Sequence, residues 1–223
     1  MTGRCFLATY RPLIHTGAGR RAVQEYGLPP FIDGSCRREP DFESPFPSIT
    51  ATCRAGGFAP RLRPGDTVAY LTVKGTYGGD TQPGWRMVAV LHVVERFETH
   101  DLAAEWYRSK GFALPSNCIV AGNPPEPLEV TNGNPPPEIK RRFSVTSRPK
   151  LAVRLWDRGY RQRVARWPVF FVCEATFLDV HAPPQISEAD LVAVFDRVPG
   201  MLNPPAISSL QLSSLLDAVR RTA

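Results

Sequence analysis

Between Phe31 and Thr72 the chain reads FIDGSCRREPDFESPFPSITATCRAGGFAPRLRPGDTVAYLT, a stretch dense in side chains that can do chemistry. Asp33, Glu39 and Asp41 are candidate general bases, and Cys36 and Cys53 are candidate nucleophiles. Arg37, Arg38 and Arg54 suit phosphate contact or stacking, while Asp33, Ser35 and Thr50 can read the edge of a ligand by hydrogen bonding. Gly, Pro, Ser and Asp also accumulate in loops for conformational reasons alone, so single residues here prove little. The segment as a whole says more, because a long loop without its own secondary structure is uncommon unless it is functional or disordered. Phe31, Ile32, Phe42, Phe46, Ile49 and Phe58 would anchor it to a core and argue against disorder. A metal centre built from Cys36, Cys53 and His15 lacks recognisable ligand spacing. Gly17-x-Gly19 lacks the third glycine and the Lys-Ser/Thr end of a phosphate loop and reads as a turn, and no Ser-His-Asp pattern is visible.

Charge supplies a second candidate surface. The chain carries a formal charge of +6, yet the segment 140–166 alone holds Lys140, Arg141, Arg142, Arg148, Lys150, Arg154, Arg158, Arg161, Arg163 and Arg166 against Asp157. The remainder is therefore net negative, and the positive charge is a local patch of the kind that attracts polyanions by releasing condensed counterions. A solvated helix face is the plain alternative; the scarcity of acidic partners within a helical turn favours nucleic-acid contact.

The elements that must position these groups follow from periodicity. Cys5 to Leu13 reads as a first strand, and Asp66 to Val73 and Trp85 to Phe97 as a hairpin pair joined by the glycine-rich segment 74–84. His92 within that pair reads as a core histidine. Helices are expected over His100 to Gly111 and about Ala152 to Arg166, where Val153, Trp156, Tyr160 and Val164 recur every three or four residues. The segment 115–137, rich in Pro and Asn, reads as an extended loop with one short edge strand at Cys118 to Ala121. Pro168 to Val180 is a last strand, followed by helical pieces Ser187 to Arg197 and Ser208 to Arg221. The expected class is α+β, a compact β barrel with flanking helices over 1–183 and a helical appendage over 184–223 packed on the same domain.

A hydrophobic content of 43% describes a soluble globular protein, and no run approaches the roughly 18 apolar residues of a membrane span. Five cysteines without a CxxC pair fit a reducing compartment, and the amino-terminal residues show no secretory signal, so a cytoplasmic protein is expected. Cys5, Cys118 and Cys173 sit among apolar residues and read as small core hydrophobes.

The order Asp33-Gly34, then Pro47-Ser-Ile-Thr-Ala-Thr-Cys-Arg54, then Gly65-Asp66 opening a buried strand resembles the PUA-like superfamily, with its EVE, ASCH and YTH domains, and the nucleotide-modification-associated families in particular. The resemblance covers about residues 5 to 180; the long Pro-rich segment and the helical tail depart from it. It implies a small β barrel that holds a nucleobase, often a modified one, between strands and loops. A nucleobase pocket of Asp33, Ser35, Arg37, Arg38, Thr50, Arg54, Tyr77 and Asn117 is then expected, with Lys140, Arg141, Arg142, Arg154, Arg158, Arg161 and Arg163 on the nucleic-acid backbone. The partner expected is DNA or RNA, with no cofactor, metal or membrane. An enzyme acting on a nucleotide or nucleobase is the alternative, and a protein interaction module a third reading from the Pro-rich stretches.

Overall fold

The computed structural model describes residues 3–52, 56–142, 147–200 and 203–222. Among these residues seven strands and six α-helices follow one another as β1 (Cys5–Tyr10), α1 (Gly17–Tyr26), β2 (Ser48–Thr50), β3 (Thr67–Thr72), β4 (Trp85–Phe97), α2 (His100–Ser109), α3 (Pro137–Arg142), α4 (Pro149–Arg166), β5 (Phe170–Leu178), β6 (Gln185–Ile186), α5 (Glu188–Phe195), β7 (Ala206–Ile207) and α6 (Ser209–Thr222). The fold is α+β. All strands join one mixed sheet in the order β2-β5-β4-β3-β1-β7, with β6 on β4. Only β1 and β3 run parallel, with Cys5 opposite Thr67 and Tyr10 opposite Thr72.

The expected closed barrel is not formed among the described residues, because β2 and β7 end the sheet at opposite edges without pairing to each other. The sheet nevertheless curves. Its longest strand, β4, shifts register against β5 between Val90 and Leu91 and between Val93 and Glu95, and against β3 opposite Tyr70 and Leu71. Each irregularity bends the strand and increases its twist. One concave face covers Phe6, Tyr10, Phe42, Ile49, Tyr70, Leu91 and Phe171 in the largest apolar cluster. On the other side Leu7, Ala69, Leu71 and Met87 pack with Leu191, Leu215 and Val219 of α5 and α6. Alternating residues of β1 and β3 thus feed two cores, as the period of two requires. Val194, Phe195, Leu212 and Leu216 are half-buried, the last three of them packed against the second core.

The Gly65-Asp66 turn is a staple at the start of the parallel pair. Gly65 takes φ +92, which favours glycine. The Asp66 carboxylate accepts from the backbone N–H of Arg4 at 2.9 Å, from the Arg4 guanidinium at 2.6 Å and from the N–H of Arg63 at 3.0 Å. Burial pushes its pKa up, but these donors outweigh it and hold the carboxyl below the usual range.

Two local expectations differ from the structure. The glycine-bearing stretch at 14–21 is not an open turn but the entry to α1, where the Thr16 hydroxyl accepts from Gly19 N–H at 3.0 Å as an N-cap. Position 19 admits only glycine, because a Cβ there would lie 1.7 Å from the carbonyl oxygen of Leu13. The edge strand expected at 118–121 is instead a tight irregular turn, with Cys118 N–H donating to Pro115 O and the Asn123 amide to Cys118 O. Those hydrogen bonds consume the groups that a strand ladder would need.

A candidate nucleobase cavity

The parallel strands β1 and β3 end side by side, and past their carboxyl ends the chain opens a cavity of about 870 Å³. Thr9, Tyr10 and Arg11 of the first strand end and Val73 of the second line one side. Asp33, Ser35 and Glu39 of the long loop lie at its floor, Trp156 and Tyr160 of α4 form an aromatic wall, and Asn132 to Pro137 close the far side. Arg163 and Lys140 complete the lining. The volume matches that of pockets that enclose a small organic ligand.

Local geometry explains the floor. Gly34 N–H donates to Arg11 O, Asn132 N–H donates to Gly34 O, and a Cβ on Gly34 would sit 2.6 Å from the Asn132 side chain. Only glycine lets the loop approach the Asn-rich segment so closely. Asp33 then turns back on Ser35, accepting from its N–H at 2.9 Å and its hydroxyl at 2.5 Å. The Glu39 carboxyl accepts from Thr50 N–H at 2.9 Å, Thr50 Oγ1 at 2.5 Å, Thr52 Oγ1 at 3.2 Å and Asn117 Nδ2 at 3.2 Å. Burial pushes its pKa up to about 8, outweighing the donors from Thr50 and Thr52, and the nearby Asp33 adds to the rise. Asp33 itself is raised by burial, against the pull of Ser35. The third loop carboxylate, Asp41, faces away and organises backbone: it accepts from the N–H groups of Glu43, Ser44 and Ser116 at 3.0, 3.3 and 2.7 Å.

The expected pocket residues divide by this geometry. Asp33 and Ser35 line the cavity. Thr50 and Asn117 stand one layer behind it and act through Glu39. Arg37 and Arg38 are fully buried braces, so neither is available for stacking or phosphate contact. Arg37 reaches Asp157 and the carbonyls of Ser116 and Asn123, and Arg38 spans the carbonyls of Asp33 and Val130 and the carboxylate of Glu43. Tyr77 is buried against Phe31, its hydroxyl donating to Val73 O at 2.7 Å, and it does not line the cavity. Arg54 and Cys53 lie outside the described residues. Cys36 is buried and its thiol is pushed far up by burial, which removes it as a nucleophile. Among the described residues no cluster suited to a metal ion occurs.

Of the basic residues, Arg163 and Lys140 reach the cavity, while Arg141, Arg154 and Arg158 are exposed without lining it, Arg154 and Arg158 on the side of α4 away from Trp156 and Tyr160. Arg163 donates to Thr52 O at 2.7 Å and lays its guanidinium 5.2 Å from the Tyr160 ring centre. Arg161 is exposed but paired with Asp157 at 2.8 Å. The side chain of Arg142 lies outside the described ones.

Trp156 and Tyr160, the wall of the cavity, are the lining residues that periodicity did not separate from core. The two aromatics are four apart on the apolar face of α4 and contribute to a cluster with Cys36, Ile119 and Val153, so one face serves both packing and lining. Arg11, read as part of the first strand, and Asn132 and Asn134, read as part of an extended loop, likewise carried no signal as lining residues.

No protein-family model, curated protein or solved structure matches the chain.

Proposed function

We propose that this protein is a nucleic-acid-binding module of PUA-like type that takes a modified or flipped nucleobase into the cavity over the 31–54 loop, with the basic 140–166 segment on the phosphate backbone. The observation that carries the reading is the coincidence, in one cavity, of an aromatic wall, a hydrogen-bonding carboxyl floor and a cationic rim. A nucleotide needs all three: a π face to stack its base, fixed polar groups on the base edge and positive charge for its phosphate. The exposed Arg141, Arg154 and Arg158 add positive surface outside the cavity and supply affinity that does not depend on sequence. A panel of modified and unmodified oligonucleotides, measured at fixed salt, tests it. Binding that favours particular bases supports the reading, and absence of oligonucleotide binding overturns it.

A second reading, an enzyme acting on a nucleotide or nucleobase, is favoured by one observation. Glu39 is a buried carboxyl with a pKa near 8 on the floor of the same cavity, the property of a general acid or base poised at neutral pH. Turnover of a nucleotide by the wild type that disappears in Glu39→Gln, with binding retained, would move the assignment to catalysis.

A further inference from the structure

The chemistry of the cavity floor narrows the ligand further than its shape does. An ionised carboxylate offers only acceptors, about four lone-pair sites, and a protonated one adds a single O–H donor on one oxygen while keeping acceptor capacity on the other. Among the described residues Glu39 receives three of its four protein donors on Oε2 and only the Thr50 N–H on Oε1, so acceptor capacity remains on Oε1. Asp33, its neighbour on the floor, likewise receives both Ser35 donors on Oδ1. Both groups are at least nine-tenths buried yet line the cavity, so whatever edge a ligand presents to the floor meets two carboxyl groups with little water between. The cations sit elsewhere: Arg163 comes from the end of α4 and Lys140 is exposed on α3, bonded to Asn134. Acceptors at the floor and positive charge at the rim give the cavity a polarity that matches a nucleotide with N–H donors at its base edge and phosphate at the mouth.

Resting on the nucleobase reading, we propose that the cavity selects bases carrying an exocyclic amino group, and that the carboxyls of Glu39 and Asp33 are the specificity-determining acceptors that read it. An amino group brings two N–H donors, and in guanine a ring N–H stands beside it. Uracil and thymine present one N–H between two carbonyls, and hypoxanthine one N–H beside a carbonyl. Against a buried carboxyl floor those carbonyls oppose acceptor with acceptor and leave buried groups unpaired, which is how a polar site rejects a near-isostere.

The test compares each amino base with a counterpart that lacks the group: hypoxanthine, which has hydrogen in place of guanine's amino group, and uracil, which has a carbonyl and a ring N–H in place of cytosine's amino group and ring acceptor. Short single-stranded thymidine oligonucleotides carrying one central guanine, hypoxanthine, cytosine or uracil are titrated against the full chain at fixed salt. Guanine is expected to bind roughly tenfold more tightly than hypoxanthine, or cytosine than uracil, the discrimination of one good base-edge contact. Glu39→Gln replaces a carboxyl, acceptor-only when ionised, by an amide whose N–H donors are permanent, and should collapse that ratio. Should this variant fail to fold, Asp33→Asn and the wild-type ratios carry the same test. If neither amino base exceeds its deaminated counterpart while the oligonucleotides still bind, the inference is overturned and the nucleic-acid reading stands. If no oligonucleotide binds at all, that reading falls and the inference with it.

Discussion

Arg37 Nε donates to Asp157 Oδ1 at 2.6 Å, joining a guanidinium with no solvent exposure to a carboxylate 120 positions later in the chain. The same guanidinium donates from Nη1 to Ser116 O at 3.0 Å and Asn123 O at 3.1 Å, while the other oxygen of Asp157 accepts from Arg161 at 2.8 Å. One buried cation therefore ties the 31–52 loop, the 115–123 turn and α4 together. Asp157 follows Trp156 directly, so this bond also fixes where the aromatic wall stands over the carboxyl floor.

Breaking that pair should be costly. Removing one partner leaves the other charge buried without compensation, a loss of about 3–5 kcal/mol. Asp157→Asn is expected to lower the unfolding free energy by that amount in a urea titration and to weaken oligonucleotide binding through displacement of Trp156. Replacing both partners together, Arg37→Met with Asp157→Leu, should recover much of the stability, because no uncompensated charge then remains. A loss below about 1 kcal/mol for Asp157→Asn would show that the pair is not the fastening of α4.

Stability should respond to pH from two directions. The folded pKa of Glu39 is raised to about 8 by burial, so its contribution is fully present below the unfolded value and is lost as pH rises through the folded one. Asp33 and Asp41, both raised by burial, act in the same sense. His100 is opposite: burial first, then the Arg37 charge, lowers it to about 4. Its Nδ1 accepts from Ile119 N–H at 2.9 Å, a bond that needs the neutral ring. The unfolded chain therefore gains a proton near the ordinary histidine pKa that the folded chain refuses, and stability falls as the pH drops from there towards 4. The magnitude reaches at most about 3 kcal/mol for His100. Thermal unfolding followed across this range should show a maximum on the acid side of neutrality, between the ordinary carboxyl and histidine pKa values; Glu39→Gln should flatten the alkaline limb and His100→Asn the acidic one. Unchanged limbs in the two variants would contradict the assignment.

The long strands β1, β3, β4 and β5 and the larger helices were legible because their signals are local. β3 and β4 alternate or run apolar between turn residues, and α4 keeps its apolar spacing throughout. What the sequence could not tell was which loop side chains are spent on the loop itself. Arg37, Arg38 and Asp41 have the same residue types as site groups, yet three-dimensional partners far along the chain turn them into braces. Composition carries no mark of that difference, since burial of a charge is decided by contacts between segments about a hundred positions apart. Glu39 was recognisable as a candidate general base, but its separation from Asp41 depends on Thr50, Thr52 and Asn117 converging on one carboxyl. Sheet closure was equally hidden, because edge pairing is a relation between distant strands.

The carboxy-terminal helices should behave as part of the same cooperative unit. Leu215 and Leu191 are fully buried against Leu7, Ala69 and Leu71, the back of β1 and β3. Leu215→Ala is expected to cost about 2–5 kcal/mol and to lower the single unfolding transition as a whole. Two separate transitions, with only the smaller displaced, would show α5 and α6 unfolding independently of the sheet.

The basic segment should contribute unequally to the salt dependence of binding. Arg154 and Arg158 are exposed on α4, whereas Arg161, also exposed, is held by Asp157 and Arg163 by Thr52 O and the Tyr160 ring. A cation already paired with a carboxylate releases less counterion from a phosphate than an unpaired one. Neutralising Arg154 and Arg158 together should therefore reduce the slope of log K against log salt by about 0.7–0.9 for each phosphate that is no longer neutralised, with base discrimination unchanged. Arg161→Gln should move the slope less than either, and Arg163→Gln should reduce affinity together with discrimination, because its guanidinium lies at the cavity wall. The measurement is a set of dissociation constants over a salt series for the preferred and non-preferred oligonucleotide. Equal slopes in wild type and in the Arg154 and Arg158 double variant would leave that helix face as solvated surface and place the phosphate-binding groups on the cavity rim alone.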